Sequence, residues 1–207
     1  MDASVASHAD LTAGRSWMVA MRSKCTSAAT ISALGAWAAE AGVFSTGALV
    51  RSGAGSGTSE TAKFEHELTE RLDTPYALAV NSGTSGLICA LVGVGVGPGD
   101  EVILPAWTWY ADYDAIVLSG ALPVFAEIDE SLAIDPKDIE SRITPRTKAI
   151  VPSHLQGGVA DMDAILDIAR RHKLRVVEDC AQCCGGRYKG KYVGSIGDIG
   201  INSFQLS

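Results

Sequence analysis

Short apolar segments alternate with helical segments along most of this chain, and this alternation restricts its fold more than any other feature. Apolar runs of strand length occur at 76–80, 101–105, 122–128, 148–154 and 174–179. Helices are predicted at 62–72, from Leu87, through Asp112 to Leu118, from Pro136, and at 161–172. Short apolar strands joined by helices favour right-handed crossovers and a mostly parallel central sheet with helices on both faces. The sequence therefore predicts an α/β fold.

The segment before residue 62 carries weaker signals. Residues 1–25 show no sustained period, and we expect a loosely ordered leader there. Apolar residues recur at helical spacing between Ala33 and Ala41, and residues 51–61 are predicted to form a Gly/Ser-rich loop. The glycines of this loop have neither the Rossmann spacing nor the lysine of a P-loop.

Net charge and hydropathy exclude two classes of partner. The net charge is −7 and there is no basic run, so we expect no sequence-independent binding to nucleic acid. Residues 27–50 carry one charge, Glu40, but contain few large apolar residues, which disfavours a membrane span. The chain also lacks the pattern of a secretory signal. We therefore expect a cytoplasmic protein that does not bind membranes.

Five cysteines, at positions 25, 89, 180, 183 and 184, indicate free thiols in a reducing compartment, because their number is odd and they lie in apolar runs. The spacing of Cys180, Cys183 and Cys184 has a second interpretation, as a redox pair or as half of a zinc site. A zinc site needs a second ligand pair at suitable spacing, and neither Cys25 nor Cys89 supplies one. We expect buried, inert thiols and no metal.

Ligands of a parallel sheet collect beyond the carboxyl ends of its strands, and three such ends carry suggestive residues. The first is VNSGTSGL at 80–87. Backbone N–H groups at the start of the following helix, together with the hydroxyls of Thr84 and Ser85, suit a phosphate. An ordinary capped turn is the alternative.

The other two strand ends supply aromatic and acidic groups. The segment PAWTWYAD contains Trp107 and Trp109, of which one could stack on a flat ring while the other joins the core. Core packing is the alternative for either. The segment VVEDCAQCCGG places Asp179 at the end of an apolar strand, where a buried carboxylate needs a cationic partner such as a protonated ring nitrogen. Gln182 could hydrogen-bond an oxygen on the same ring, although Asp179 could also simply cap the following turn.

A phosphate site, an aromatic plate and a carboxylate for a ring nitrogen are together what pyridoxal 5'-phosphate requires. Asp179 would keep the pyridine protonated, and this protonation makes the ring an electron sink. Binding of NAD in a Rossmann fold would instead need a glycine fingerprint and a ribose-binding acid, and this pattern is missing.

The chain resembles the DegT/DnrJ/StrS family of pyridoxal-phosphate-dependent sugar aminotransferases, which have fold type I. The resemblance runs from about residue 30 to the last residue and is carried by the segments FEHEL, YALAVNSGTSGL, GVGPGDEVILPAWTW, TPRTKAIVPSHLQG, DMDAILDIARRHKLRVVEDCAQ and GKYVGSIGDIGINSFQ. It implies that residues 26–207 form the N-terminal part of the cofactor-binding large domain. Because family chains are usually about twice as long, it also implies that the C-terminal small domain is absent from this sequence.

The resemblance also implies roles for individual residues. Carried over by position, Thr84, Ser85 and Ser203 contact the cofactor phosphate, and Trp109 stacks on the pyridine ring. Asp179 pairs with the ring nitrogen.

Further positions concern the ring hydroxyl and the covalent link to the cofactor. By the resemblance, Gln182 contacts the ring hydroxyl. The Schiff-base lysine of the family falls five residues after Ser203, so we expect it immediately after Ser207. No other lysine substitutes for it, since Lys189 and Lys191 match exposed turn positions. His154, at a strand end, is expected either to border the substrate pocket or to be a hydrogen-bonded structural histidine.

The activity implied is transfer of an amino group from glutamate or glutamine to a nucleotide-linked keto-sugar or a keto-cyclitol, in antibiotic or polysaccharide biosynthesis. Two alternatives remain. Some relatives carry histidine in place of the lysine and are sugar dehydratases that use the same cofactor, and a chain without the lysine could be a non-catalytic fragment. The family also implies a homodimer whose subunits complete each other's active sites.

Overall fold

The computed structural model of the chain describes residues 19–21 and 60–204, with side chains from residue 64 to residue 204. The helix predicted near residues 33–41 and the part of the predicted loop from residue 51 to residue 59 lie outside these residues. Within the predicted leader, residues 19–21 form a strand of the main sheet, and the rest of the leader lies outside the described residues.

Helices and strands alternate from residue 60 onward, as the sequence predicts. The helices are α1 (Glu60–Leu72), α2 (Gly83–Gly93), α3 (Tyr110–Leu118), α4 (Pro136–Arg142) and α5 (Met162–His172). The strands are β1 (Val19–Met21), β2 (Tyr76–Leu78), β3 (Glu101–Pro105), β4 (Leu122–Ala126), β5 (Thr147–Ile150), β6 (Arg175–Asp179), β7 (Arg187–Tyr188), β8 (Lys191–Tyr192) and β9 (Ile199–Ile201). A short 3₁₀ turn, Leu155–Gly157, follows β5.

In the described part of the chain, seven strands form one sheet in the order β2-β1-β9-β6-β5-β3-β4. The five strands β9, β6, β5, β3 and β4 are mutually parallel, whereas β1 runs antiparallel to both β2 and β9. Strands β7 and β8 form a separate hairpin. The predicted α/β fold with a mostly parallel sheet is confirmed.

Both faces of the sheet are covered because successive strand residues point to opposite sides. In β3, Val102 and Leu104 join the core formed with α2 and α3, and Ile103 joins the core formed with α4 and α5. All three side chains are fully buried. This two-sided burial explains why the strands read as continuous apolar runs.

Three local predictions can be compared with the structure. Asp161 caps α5 as expected, accepting a hydrogen bond from the Ala164 N–H at 3.3 Å. Helix α2 begins at Gly83 and not at Leu87, because Ser82 acts as its N-cap. The expectation that one tryptophan joins the core is wrong, since the exposed fractions of Trp107 and Trp109 are 51% and 53%.

Helix α3 and the outer strand β4 present an apolar face to the solvent. The rings of Tyr113 and Phe125 stack there with centroids 6.1 Å apart. Leu118 and Leu122 have exposed fractions of 66% and 50%. No helix within the described ranges combines the length and the apolar character needed to cross a membrane.

Gly200 packs directly against the backbone of Gly194, where there is no room for a side chain. A Cβ atom added at Gly200 would overlap the Cα and carbonyl atoms of Gly194, and backbone atoms cannot turn aside as a flexible side chain can. We expect Gly200→Ala to lower the free energy of unfolding by about 3 kcal/mol, at the upper end of the cost of overpacking. Urea denaturation measures the effect. Gly97→Ala is the control, because nothing lies within 4 Å of its Cβ position, and an equal loss in both variants would contradict the close approach.

Candidate active site

A cavity of about 630 Å³ lies at the carboxyl ends of β6 and β9, beside the first turns of α2 and α3. This is where ligands of open α/β sheets bind. Six of the predicted site residues line it: Thr84, Trp109, His154, Asp179, Gln182 and Ser203. Ser85 is not among the lining residues, although it lies one position beyond Thr84 in the same helical turn. The chain therefore brings most of the predicted groups together from distant positions.

The first turn of α2 forms one end of the cavity. Ser82 caps the helix, because its Oγ accepts a hydrogen bond from the Ser85 N–H at 3.0 Å and lies 2.9 Å from the Ser85 Oγ. No acidic residue lies in this turn, so its partial positive charge is not neutralised there. A Cβ atom at Gly83 would lie 3.6 Å from the Ser203 Cβ, which shows how closely the two chain segments approach. The turn thus combines helical N–H groups with serine and threonine hydroxyls, as a phosphate site requires.

Asp179, at the end of β6, lies at the base of the cavity with an exposed fraction of 6%. Its Oδ1 accepts a hydrogen bond from the Ala181 N–H at 2.9 Å. Among the side chains of residues 64–204, no lysine, arginine or histidine forms an ion pair with it. Burial raises the pKa of Asp179 well above its ordinary range, and the nearby charge of Asp112 raises it further. A buried carboxyl group in this state would be stabilised as an anion by a cationic ligand.

Gln182 is oriented by the loop opposite. Its Oε1 accepts a hydrogen bond from the Gln156 N–H at 3.1 Å, and its carbonyl oxygen accepts one from the Gly157 N–H, also at 3.1 Å. Because Oε1 is held in this way, the amide NH₂ is the end of the side chain left to donate to a ligand. This polarity suits an anionic or phenolic ring oxygen.

Trp109 stands at the cavity mouth as the N-cap residue of α3, where it makes no side-chain capping hydrogen bond. Its ring lies 5.0 Å from that of Tyr110, between centroids, at a tilt of 38°. Tyr110 lines the cavity as well, and sequence reasoning gave it no role. Trp109 thus offers an aromatic surface next to the cavity, whereas Trp107 does not line it.

His154 lines the cavity, but both of its ring nitrogens have protein partners. Nδ1 accepts a hydrogen bond from the Ala160 N–H at 3.3 Å, so Nε2 carries the proton that is donated to Glu178 Oε2, also 3.3 Å away. The side chains of both His154 and Glu178 are fully buried. Of the two predicted interpretations of His154, this geometry favours the structural one.

Glu178 is a buried residue that sequence reasoning missed. With His154 and Cys180 it forms a group whose potential metal-ligand atoms lie within 4.8 Å of one another. However, Glu178 Oε1 accepts hydrogen bonds from the Ile196 and Gly197 N–H groups at 2.8 and 2.6 Å, and Oε2 accepts one from the Gly194 N–H at 2.9 Å. These contacts indicate that Glu178 holds the loop that leads into β9.

Asp112 is the second missed acid. It lies in the first turn of α3, with an exposed fraction of 1%, and is hydrogen-bonded to Ser153 at 2.5 Å and to Thr108. Burial raises the pKa of its carboxyl group, while hydrogen bonds from the Ser153 and Thr108 hydroxyls oppose the rise. The signal was visible in the sequence, because an aspartate follows four residues after Thr108 at a strand end, but nothing showed that its side chain turns inward.

The residues of the cavity fit pyridoxal 5'-phosphate. The base of the cavity holds a buried carboxyl group that has no cationic partner among the described side chains. One end presents a helix N-terminus with hydroxyl groups and no acid, and an amide NH₂ and an indole face the remaining space. These groups match the ring nitrogen, the phosphate, the ring hydroxyl and the flat face of the cofactor.

Comparison with known proteins leads to the same class of protein. The profile of the DegT/DnrJ/EryC1/StrS aminotransferase family matches residues 45–207. The chain is 46% identical over 143 residues to the GDP-perosamine synthase of Caulobacter vibrioides, an alignment that covers 69% of this chain and 38% of the relative. It is 41% identical over 172 residues to the L-glutamine:2-deoxy-scyllo-inosose aminotransferase of Streptomyces fradiae, covering 82% of this chain and 41% of the relative.

A solved structure supports the relationship. The chain resembles NtdA of Bacillus subtilis with bound cofactor PMP, with a TM-score of 0.63 and 34% sequence identity. This similarity covers 84% of this chain and 38% of the other. The chain thus spans about two fifths of the length of the relatives it matches. Its parallel sheet with helices on both faces is that of the large domain of fold type I aminotransferases, and the chain belongs to the DegT/DnrJ/EryC1/StrS aminotransferase family.

Proposed function

We propose that this chain is the cofactor-binding part of an aminotransferase that uses pyridoxal 5'-phosphate. The observation that carries the proposal is the buried carboxyl group of Asp179, which shares one cavity with the N-terminus of α2. A single ligand with a cationic ring nitrogen and a phosphate would be complementary to both features.

Six residues have a role in this proposal. Asp179 pairs with the ring nitrogen, and Gln182 donates its amide N–H to the ring hydroxyl. Thr84, Ser85 and Ser203 bind the phosphate together with the first turn of α2, and Trp109 stacks on the ring.

When bound, the cofactor supplies an electron sink for negative charge that develops on a substrate carbon. Asp179 supports this chemistry by holding the proton at the ring nitrogen. The lysine of the family is expected at the position directly after Ser207, five residues beyond the cavity-lining Ser203.

The proposed reaction moves an amino group from glutamate or glutamine to a nucleotide-linked keto-sugar or a keto-cyclitol, in antibiotic or polysaccharide biosynthesis. The names of two relatives support this range of substrates, since one is a GDP-perosamine synthase and the other an L-glutamine:2-deoxy-scyllo-inosose aminotransferase. Both are similar to this chain at more than 40% identity, so the substrate class and not the individual acceptor is proposed.

We propose a homodimer for the complete enzyme. The apolar face of α3 and β4 supports it, because Leu118, Leu122 and the Tyr113–Phe125 stack together expose more apolar surface than isolated side chains do. A cytoplasmic location is proposed as well. It is supported by four free thiols, Cys89, Cys180, Cys183 and Cys184, in the described part of the chain.

Equilibrium dialysis of the chain with pyridoxal 5'-phosphate tests the proposed function. We expect saturable binding with one site per chain. Pyridoxal without the phosphate should bind at least roughly tenfold more weakly, because charge-assisted hydrogen bonds to the phosphate are lost. Lys191→Ala is the control, since Lys191 does not line the cavity and should leave binding unchanged. Equal affinity for the two compounds, or no binding of either, would refute the proposed cofactor site.

A further inference from the structure

A second buried carboxyl group lies beneath the same cavity. Asp112 and Asp179 come from different elements, α3 and β6, and the backbone pairing of Ser153 with Asp179 brings them together, because Ser153 also contacts Asp112. The charge of Asp112 raises the pKa of Asp179, which agrees with the two carboxyl groups being neighbours on either side of Ser153. A hydrogen bond between two carboxyl groups requires a proton on one of them, since an ionised carboxylate only accepts.

The hydroxyl groups around Asp112 have fewer protons than the contacts that they make. The Thr108 Oγ1, Ser153 Oγ and Asp112 Oδ2 atoms form a closed triangle of contacts, in which Ser153 lies 2.8 Å from Thr108 and 2.5 Å from Asp112. Two hydroxyl groups supply two protons for three contacts. Asp112 Oδ1 is buried and receives no hydrogen bond from an N–H or hydroxyl group of the described residues. A proton shared between Asp112 and Asp179 would supply the donor that a hydrogen bond between the two carboxyl groups requires.

No neighbouring charge replaces this proton. The ionisable groups closest to the pair on β6 and in the loop after β5 are Glu178, Cys180 and His154. Glu178 and His154 are hydrogen-bonded to each other, and burial, followed by the charges of Glu178 and Asp179, raises the pKa of the Cys180 thiol well above its ordinary range. Helix α2 contributes Cys89, whose pKa burial raises to about 11.

The other described elements that pack near the carboxyl pair have no ionisable group in contact with it. Strand β9 has no ionisable residue, and β3 begins with Glu101, which is bound to Thr144 and Arg146 at the opposite end of the sheet. Lys148 of β5 is exposed, and none of Tyr110, Tyr113 and Asp114 of α3 is hydrogen-bonded to the pair. Two adjacent anions without a cation are costly in a buried site, and retaining one proton relieves that cost.

We propose that Asp112 and Asp179 form a carboxyl pair that holds one shared proton, and that Asp112 is a positioning residue for Asp179. The pair then carries a single negative charge, and the hydrogen bond between the two carboxyl groups fixes the orientation of Asp179. Asp112 is itself fixed by Ser153 and Thr108. The positioning role rests on the proposed function, but the carboxyl pair itself can be examined without any cofactor.

The first experiment uses the chain alone. A carboxyl group whose pKa is raised in the folded state gives stability that is present at low pH and is lost as the pH rises through the folded pKa. We therefore expect the melting temperature of the wild-type chain, relative to Asp112→Asn, to fall as the pH rises from about 4. Asp114→Asn is the matched control on the same helix, and its profile should run parallel to that of the wild type.

Infrared spectroscopy gives a second measurement on the same proteins. The wild-type chain should absorb as a neutral carboxylic acid at pH 7, and this band should be lost in both Asp112→Asn and Asp179→Asn. A band that persists in both variants, or parallel stability profiles for the wild type and Asp112→Asn, would overturn the pair.

Binding of pyridoxal 5'-phosphate tests the positioning role. We expect Asp112→Ala to weaken binding roughly tenfold, because Asp179 loses a charge-assisted hydrogen bond. Asp112→Asn should recover most of that loss, since its NH₂ group can donate to Asp179. Equal binding by the wild type and Asp112→Ala would overturn the positioning role. If the wild type binds no cofactor while the infrared band is present, the proposed function fails and the carboxyl pair stands.

Discussion

Replacement of Asp179 by asparagine or alanine is expected to abolish turnover by the proposed aminotransferase, while the fold is kept. The expected loss is on the order of a hundredfold or more in kcat, the scale on which preorganised electrostatic groups act in active sites. The reason is that the ring nitrogen would lose the anion that keeps it protonated, and with it the electron sink on which transamination depends.

Stability gives an independent readout of this variant. Because burial raises the pKa of Asp179, its charged form is disfavoured in the folded state, and this contribution to stability is lost as the pH rises. Asp179→Asn should therefore be at least as stable as the wild type at neutral pH without cofactor. Asp114→Asn serves as the control for both measurements. Normal turnover in Asp179→Asn would remove Asp179 from the mechanism.

Replacement of Glu178 by alanine is expected to lower the free energy of unfolding more than any other change proposed for this chain. Its two carboxylate oxygens accept hydrogen bonds from the N–H groups of Gly194, Ile196 and Gly197, and from His154. Glu178→Ala leaves these buried donors without an acceptor. We expect a loss of about 3–5 kcal/mol in the free energy of unfolding, as is usual when one member of a buried polar cluster is removed.

Urea denaturation of the chain measures this loss. Glu130→Ala is the matched control, because Glu130 is exposed and its replacement should change the free energy of unfolding by less than about 0.5 kcal/mol. Glu178→Gln should fall between the two, since glutamine retains one acceptor oxygen. A loss below about 1 kcal/mol in Glu178→Ala would mean that the loop is held by other contacts.

Much of the fold could be predicted from the sequence, because the same periodic pattern that marks each strand also determines its burial. Val102, Ile103 and Leu104 belong to a continuous apolar run, and such a run in a βα repeat implies a strand covered on both faces. Asp161 could be recognised as a cap because an acceptor stands directly before an amphipathic helix. These signals are local, so a single sequence contains them.

The interior polar groups could not be predicted in the same way. Glu178 directly precedes Asp179, and Asp112 follows three residues after Trp109. The contacts of both acids nevertheless depend on partners that are far away in sequence, such as Ser153 and Gly194. The prediction of a core tryptophan was wrong for a different reason. Trp107 lies two residues beyond the buried strand β3, and the chain has already left the core at that point. Which way a side chain turns at a strand end is set by the packing of neighbouring strands.

The position of β4 at the border of the sheet has a practical consequence. An edge strand offers unpaired N–H and C=O groups to any chain that approaches. Strand β4 also exposes the ring of Phe125 and the methyl groups of Leu122. Sulfate and similar excluded salts strengthen contacts of this kind. At high protein concentration in such salts, we therefore expect aggregation through β4, unless another surface covers this strand.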